Sequence, residues 1–175
     1  TAEVYYAAVL SKDKFLQQAF IDKLDFHSYV AKQMFNLSCD ISDVKKYYAN
    51  ERQYAKAITF GIMYQAGPAK IAETVNKDAA EGEEITKAQS SQFINKYFRE
   101  AKSLKRFIDD SNKQIENHAF IYSHFGRKRR LPESKSPNKG VASHAIRSGV
   151  NFLVQSVASD INLLGVIDLI EWIEQ

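Results

Sequence analysis

The chain has 175 residues and a formal net charge of +3, with 45% hydrophobic and 26% charged residues. This composition excludes a disordered or fibrous chain, and the length allows one domain with a hydrophobic core. Cys39 is the single cysteine, which excludes an intrachain disulfide and indicates a reducing compartment. We expect neither a membrane-spanning segment nor a signal peptide.

Glycine and proline are scarce (7 and 3), which favours helices over tight turns. In chain order, the apolar spacing is mixed over 1–20, with a predicted helix start at 11–13. Helices are predicted over 25–35, after a cap at Ser42-Asp43 with Asp43 in the first turn, and over 47–64 and 68–76. Two further helical stretches are predicted over 86–118, with a break near Ala101, and over 144–173. A strand is predicted at 120–122, a turn at 125–126 and a return strand at 127–131, with polar loops at 77–84 and 132–140. The predicted fold is mainly α with one short β-hairpin.

Four side chains at steps of four residues share one face of the helix predicted over 47–64: Arg52, Lys56, Phe60 and Tyr64. Each step turns only about 40° around a helix axis, so the first three fall in one narrow sector and the fourth at its edge. Two cations on one face repel by roughly a few tenths of a kcal/mol unless an anion lies near them. Two cations followed by an aromatic ring suit a nucleoside triphosphate. The alternative is a surface helix with solvated cations.

A second polar stripe occupies Arg147, Asn151 and Gln155, and its opposite side carries Ile146, Val150, Leu153 and Val157. Such side chains can donate hydrogen bonds to purine N3 and pyrimidine O2 in the DNA minor groove. These acceptors occur in both kinds of base pair, so the contacts scarcely distinguish sequence. The alternative is a hydrated helix face.

A basic run lies in the predicted hairpin and consists of Arg127, Lys128, Arg129 and Arg130. Adjacent cations repel one another and contact phosphates readily, and each neutralised phosphate steepens the salt dependence of DNA binding by roughly 0.9 log units. The alternatives are a solvated hairpin tip or a localisation signal.

Taken together, R-x3-K-x3-F-G-x2-Y at 52–64 and R-x3-N-x3-Q at 147–155 resemble the family A (polymerase I-like) DNA polymerases. Asp25-Phe26-His27 matches the D-x-H motif of that family, and 126–132 match its hairpin sequence G-R-x-R-x-L-P. Residues 1–13 look like the continuation of its first catalytic motif. The resemblance covers the chain from Thr1 to about Ile173 and is typical of a divergent, bacteriophage member. Three residues depart from the family pattern: Gln65 for Gly, Tyr5 for Arg and Thr1 for Gln.

The resemblance implies roles in binding the incoming dNTP. Arg52 and Lys56 would hold its phosphates, and Lys56 would also act as the catalytic acid that protonates the leaving pyrophosphate. Phe60 would pack against the nucleotide, and His27 would lie near the triphosphate. Without the family, His27 is more simply a hydrogen-bonded structural residue.

By the same resemblance, Glu3 and Tyr64 would together exclude a ribose 2′-hydroxyl. The stripe from Arg147 to Gln155 would contact the primer-template duplex near the new base pair, and the basic run 127–130 would contact phosphates.

The family further implies that 1–20 form a palm-edge segment, 21–145 the fingers, and 146–175 helices that return to the palm. Two Mg²⁺ ions would assist the reaction, with their carboxylate ligands outside this chain, so we expect no metal site within it. The implied partners are primer-template DNA, dNTPs, and the remaining palm, thumb and possible exonuclease parts of the polymerase, with no membrane. We expect a cytoplasmic location, in the bacterial host if a phage encodes the protein.

The very apolar stretch 161–173 is expected to pack on sequence that is absent here, and we expect the chain alone to be inactive as a polymerase. Two alternatives remain open at this point: a non-catalytic basic helical DNA-binding module, and part of a single-subunit RNA polymerase. Use of dNTP against rNTP distinguishes the RNA polymerase. Preference for a primer terminus distinguishes the binding module.

Overall fold

The computed structural model describes residues 2–77, 79, 82 and 84–174. Thr1, which the family pattern aligned with a Gln, and parts of the predicted 77–84 loop lie outside these residues. In chain order, the helices are α1 (Ala2–Ser11), α2 (Lys14–Ile21), α3 (Phe26–Phe35), α4 (Ile41–Tyr47), α5 (Ala49–Met63), α6 (Pro68–Asn76), α7 (Lys87–Glu100), α8 (Lys102–His118) and α9 (Lys139–Ile173). The two strands are β1 (Phe120–Tyr122) and β2 (Lys128–Arg130), and a 3-10 helix spans Pro132–Lys135. The predicted fold class is confirmed.

The predicted helix starts and breaks are mostly confirmed. Asp13 begins α2, and α7 gives way to α8 at Ala101. The predicted cap at Ser42-Asp43 is wrong, because Asp40 precedes α4 and the helix begins at Ile41, but Asp43 lies in its first turn as predicted. There the Asp43 carboxylate still favours the helix through its dipole.

Two other boundaries differ from the prediction. The predicted helix over 47–64 is interrupted at Tyr48, where φ is −134° and ψ is 47°, so α4 and α5 are separate. Helix α9 begins at Lys139, five positions before the predicted start, because Asn138 caps it. The Asn138 side chain accepts hydrogen bonds from the backbone N–H groups of Gly140 and Val141.

Asp13 joins two helices at their N-termini. Its Oδ1 accepts from the backbone N of Leu16 at 3.2 Å and its Oδ2 from that of Leu104 at 2.9 Å. The carboxylate is only 2% exposed, so it replaces water at otherwise unsatisfied N–H groups of α2 and α8. One residue therefore ties the start of α2 to a helix 91 residues further along the chain.

The chain divides into two compact units, one of residues 12–105 and one of residues 2–11 with 106–174. The first contains α2 to α7 and is centred on the packing of α3 against α5 and of α6 against α7. The second places α1, the β-hairpin and the 3-10 helix against α9. The predicted boundaries between fingers and palm remain a prediction.

Helix α9 has two different halves. Its first half buries one side, and from Ile161 to Glu174 every residue is exposed, including Leu163, Leu169 and Trp172. By length and composition α9 could cross a membrane, with a mean hydropathy of 1.5 over an 18-residue window that is 17% buried. This differs from the expectation that the chain has no membrane-spanning segment. Length and composition alone are weak evidence for a membrane span, since core helices of soluble proteins pass the same test.

Gly149 permits close packing in the second unit. A Cβ at this position would lie 2.5 Å from both Ile115 Cδ1 and Leu131 Cδ1, which belong to buried side chains. Helix α9 can therefore approach α8 and the end of β2 only because residue 149 has no side chain.

We expect Gly149→Ala to destabilise the protein by about 1–2 kcal/mol, because overpacking outweighs the helix propensity gained. Gly165→Ala is the matched control in the same helix, since a Cβ there meets nothing within 4 Å. Thermal unfolding should show a lower midpoint for Gly149→Ala and an equal or higher one for Gly165→Ala. Equal midpoints for the two variants would contradict the packing argument.

Candidate functional site

Helix α5 presents the predicted nucleotide stripe because its opposite side is locked in the core. Ala55, Ile58 and Ile62 are 0%, 0% and 3% exposed. Lys56 and Tyr64 are exposed and Arg52 and Phe60 are partly exposed. The burial fixes the rotation of α5, and the two cations and two rings consequently share one accessible face.

A cavity of about 310 Å³ opens beside this stripe. Lys56, Phe60 and Tyr64 line it from α5, while Ile71 and Thr74 line it from α6. The lining therefore includes one cation, Lys56, and two aromatic rings, Phe60 and Tyr64. Such a lining suits a ligand with an anionic part and a flat part.

Gly61 sets the width between α5 and α6. A Cβ at Gly61 would lie 2.4 Å from Ile71 Cγ1 and 2.5 Å from Ile71 Cδ1, so the two helices pack backbone to side chain at this point. The glycine of the Phe60-Gly61 pair is thus explained by packing beside the cavity.

Gln65, which departs from the family pattern, ends α5 in the left-handed conformation with φ of 51°. The N–H of Gln65 donates to the carbonyl of Ile62, and the N–H of Ala66 donates to that of Gly61 at 2.7 Å. These two bonds form a Schellman motif, in which the left-handed residue is usually glycine. Gln65 adopts the same left-handed backbone conformation, which is less favourable than for glycine because its Cβ crowds the following carbonyl oxygen.

Arg52 is held by Asp25, the residue that begins α3. Arg52 Nε donates to Asp25 Oδ2 at 2.8 Å, and Nη2 donates to Oδ1 at 3.0 Å. Asp25 Oδ2 also accepts from the backbone N of Ser28 and so caps α3. The Arg52 guanidinium is the main reason that the pKa of Asp25 lies far below its usual range. Within the described residues, no ion pair involves Lys56.

His27 is buried beside the stripe, at 7% exposure, and its ring centroid lies 5.9 Å from that of Phe60. Burial lowers its pKa to about 4, with Asp25 opposing the shift and Arg52 and Lys56 adding to it. The imidazole is therefore neutral at pH 7. Its Nδ1 has no hydrogen-bond partner among the described residues.

In the second unit, the stripe of Arg147, Asn151 and Gln155 lies on the accessible side of α9. Arg147 and Asn151 are partly exposed and Gln155 is exposed. The Arg147 Nη1 donates to Ser143 Oγ at 3.0 Å, one turn earlier on the same side. On the opposite side Val150, Leu153 and Val157 are buried as predicted, and Ile146 is partly buried.

Two cations of the basic run face α9. Arg127 Nη2 forms an ion pair with Asp160 Oδ1 at 2.8 Å, and Arg129 Nη2 donates to Ser148 Oγ at 2.6 Å. Both guanidinium groups lie over the ring of Phe152, at 5.9 and 5.4 Å. The residues of α9 that they contact, Ser148, Phe152 and Asp160, each lie one position after a residue in register with the Arg147 stripe. One position is about 100° around a helix axis, so the two arginines lie on the flank next to that stripe.

The structure thus brings Arg52, Lys56, Phe60, Tyr64 and His27 together in one unit. The stripe of Arg147, Asn151 and Gln155, here called the duplex stripe, and the basic run lie in the other unit. Glu3 in α1 belongs to the same unit and is partly buried. Lys128 and Arg130 point away from α9, as strand alternation requires.

Sequence reasoning missed several contacts of these residues. It noted Asp25 only as part of a motif and did not identify it as the partner of Arg52, which lies 27 positions away. The contacts of Arg127 with Asp160 and of Arg129 with Ser148 were also missed. No local pattern reports such long-range pairs.

Among the described residues, no group of three or more His, Cys, Asp or Glu side chains could hold a metal ion. These residues do not fit a Mg²⁺ pair.

The whole chain, residues 1–175, matches the sequence model of "DNA polymerase family A". It is 51% identical to the DNA polymerase of Escherichia phage T5, over 96% of this chain and 21% of that protein. It is 30% identical to DNA polymerase I of Caldicellulosiruptor bescii, over 99% of this chain and 19% of that protein. The chain therefore spans about a fifth of the length of these relatives.

Among solved structures, the chain resembles the POL domain of Pol1 from M. smegmatis in complex with DNA primer-template and dNTP. The TM-score is 0.86 at 26% identity, and the match covers 99% of this chain and 28% of that chain.

We expect the His27 imidazole to titrate at a pKa of about 4 in the nucleotide-free protein, which NMR can measure directly. In the unfolded chain the pKa of this imidazole is near 6.5, so between pH 6.5 and 4 the unfolded state binds a proton that the folded state does not. The free energy of unfolding therefore falls by about 1.4 kcal/mol for each pH unit between 6.5 and 4. His27→Gln should flatten this part of the pH–stability curve. An imidazole that titrates near 6.5 in the folded protein would contradict its burial.

Proposed function

Because the chain belongs to DNA polymerase family A, we propose that it forms the fingers, with flanking palm segments, of a template-dependent DNA-directed DNA polymerase. The reaction adds a dNMP to the 3′ end of a primer during DNA replication. The observation that carries the proposal is the accessible face of α5, where Lys56, Phe60 and Tyr64 line one cavity. Relatives named DNA polymerase and a structural neighbour with bound primer-template and dNTP support it.

In this proposal, Arg52 and Lys56 bind the triphosphate and Phe60 packs against the nucleotide. Lys56 is the better placed to act as the acid for the leaving pyrophosphate, because it has no competing ion pair in the described structure, whereas Arg52 is paired with Asp25. General acid catalysis of this kind contributes roughly 10²–10⁴-fold. The neutral His27 adds no charge of its own and can accept or donate a hydrogen bond at the edge of the site.

The binding of primer-template DNA is assigned to the second unit. We propose that Arg147, Asn151 and Gln155 contact the minor groove of the duplex, and that the basic run contributes phosphate contacts. Arg127 and Arg129 lie on the adjacent flank of α9, which supports their placement beside the duplex. Their bonds to α9 also position the hairpin.

The remaining parts of the proposal follow from the family. Glu3 and Tyr64 exclude the ribose 2′-hydroxyl, which favours dNTP over rNTP and speaks against an RNA polymerase. Two Mg²⁺ ions would supply charge neutralisation to the phosphates, and their carboxylate ligands would come from outside this chain. The palm, thumb and any exonuclease segments of the same polymerase complete the enzyme, which acts in the bacterial cytoplasm.

We expect Lys56→Ala, in the polymerase that contains this chain, to lower the single-turnover rate of dNTP incorporation about 100-fold or more. Affinity for primer-template should change little, because in this proposal Lys56 contacts the triphosphate and not the duplex. Lys87→Ala, which removes an exposed cation at the start of α7, is the control. An unchanged incorporation rate would remove Lys56 from the proposed site.

We expect Asp25→Asn to tighten dNTP binding by up to about five-fold, since an exposed ion pair contributes roughly 0.2–1 kcal/mol and 1 kcal/mol corresponds to about a five-fold change. Asparagine keeps the cap of α3 but no longer competes with the triphosphate for Arg52. Asp43→Asn removes the same charge from the first turn of α4 and should leave dNTP affinity unchanged. Weaker dNTP binding by Asp25→Asn would mean that Asp25 instead holds Arg52 ready for the nucleotide.

A further inference from the structure

The β-hairpin has two chemically different faces. The register pairs Phe120 with Arg130 and Tyr122 with Lys128, so these four side chains share one face, here called the outer hairpin face. The other face carries Ile121, which is 2% exposed, and Arg129, which contacts α9. The basic run is therefore not one uniform patch, because alternation along the strand sends two of its cations away from α9.

Aromatic rings and cations are interleaved on the outer hairpin face. Lys128 Nζ lies 3.8 Å from the ring centroid of Phe120 and 5.6 Å from that of Tyr122. The two rings meet edge to face, with centroids 5.5 Å apart. Tyr122 is 48% exposed, and Lys128 and Arg130 are also exposed. Tyr122 is thus about half exposed next to the Lys128 charge, and the Arg130 charge lies on the same face of the hairpin.

The charge on this face is not neutralised within the described residues. No ion pair there involves Lys128 or Arg130, whereas Arg127 on the opposite face is paired with Asp160. An exposed pair of cations without a carboxylate attracts a polyanion, and its binding is expected to weaken as salt increases.

The aromatic rings of Phe120 and Tyr122 distinguish between the polyanions that could bind this face. A DNA duplex presents its backbone and groove edges, and its base faces are hidden in the stack. A single strand exposes base faces, which stack on aromatic side chains while neighbouring cations contact the phosphates. An acidic peptide would use the cations but has no need for the rings.

We propose that the outer hairpin face binds single-stranded DNA, with a base stacked on Tyr122 beside Phe120 and with Lys128 and Arg130 on the phosphates. This deepens the proposed function, on which it rests, because the template of a polymerase is single-stranded ahead of the primer end. It also divides the basic run: Arg127 and Arg129 belong to the α9 side, and Lys128 and Arg130 belong to a separate contact.

The test measures binding of the polymerase that contains this chain to an oligothymidylate of about 12 nucleotides, and to an abasic strand of the same length. Tyr122→Ala should weaken oligothymidylate binding about five-fold or more and leave abasic binding unchanged, because only stacking is lost. Lys128→Ala with Arg130→Ala should weaken both ligands and reduce the salt slope by about 1.4, from two phosphate contacts on a single strand.

Tyr47→Ala is the matched control. Tyr47 is 63% exposed and lies 4.7 Å below Lys46 Nζ, so it is an exposed aromatic–lysine pair in the other unit. Unchanged oligothymidylate affinity in Tyr122→Ala would overturn the proposal. So would an equal loss of oligothymidylate affinity in Tyr122→Ala and Tyr47→Ala. A Tyr122→Ala variant that loses as much affinity for the abasic strand as for oligothymidylate would also overturn it. Primer extension by the unsubstituted polymerase is measured in parallel. If the unsubstituted polymerase extends a primer but the variants bind single-stranded DNA as it does, only this inference is rejected. If the unsubstituted polymerase does not extend a primer, the proposed function is rejected.

Discussion

The burial of one side of α5 is the constraint on which the candidate nucleotide site depends. Ala55, Ile58 and Ile62 are almost fully removed from water, and at roughly 1.5–3 kcal/mol for each large buried side chain the helix cannot rotate cheaply. The accessible face is therefore fixed. The close approach of α6 at Gly61 then forms the second wall of the cavity, so core packing and ligand space are set by the same few residues.

One of the two cations of the site is balanced by an internal carboxylate before any ligand is present. The repulsion expected between stacked cations is relieved by the Asp25 carboxylate, which holds Arg52 by two hydrogen bonds. Lys56 keeps its charge exposed, and His27 stays neutral because it is buried. In the proposed reaction, a triphosphate would replace an internal anion at one cation and meet the other unopposed. That difference gives the two cations distinct roles although their sequence positions look equivalent.

The second unit uses a single long helix for several purposes. The first half of α9 buries one side, carries the proposed duplex stripe on the opposite side, and binds Arg127 and Arg129 on the flank between them. The second half exposes a dense apolar surface. The chain spans only about a fifth of the length of its relatives, and the packing of this surface on other sequence stays a prediction.

The sequence by itself determined most helices, the hairpin, the family and both polar stripes, because helical and strand periodicity act over a few residues and are written directly in the residue order. It located Gln65 as a departure, but only the backbone showed that this residue takes a left-handed conformation usually given to glycine. The helix boundaries at Tyr48 and Asn138, the pairing of Arg52 with Asp25, and the separation of the basic run into two faces were decided by the tertiary structure. These features depend on which distant side chains meet and on the register of two strands, and neither is set by any local pattern.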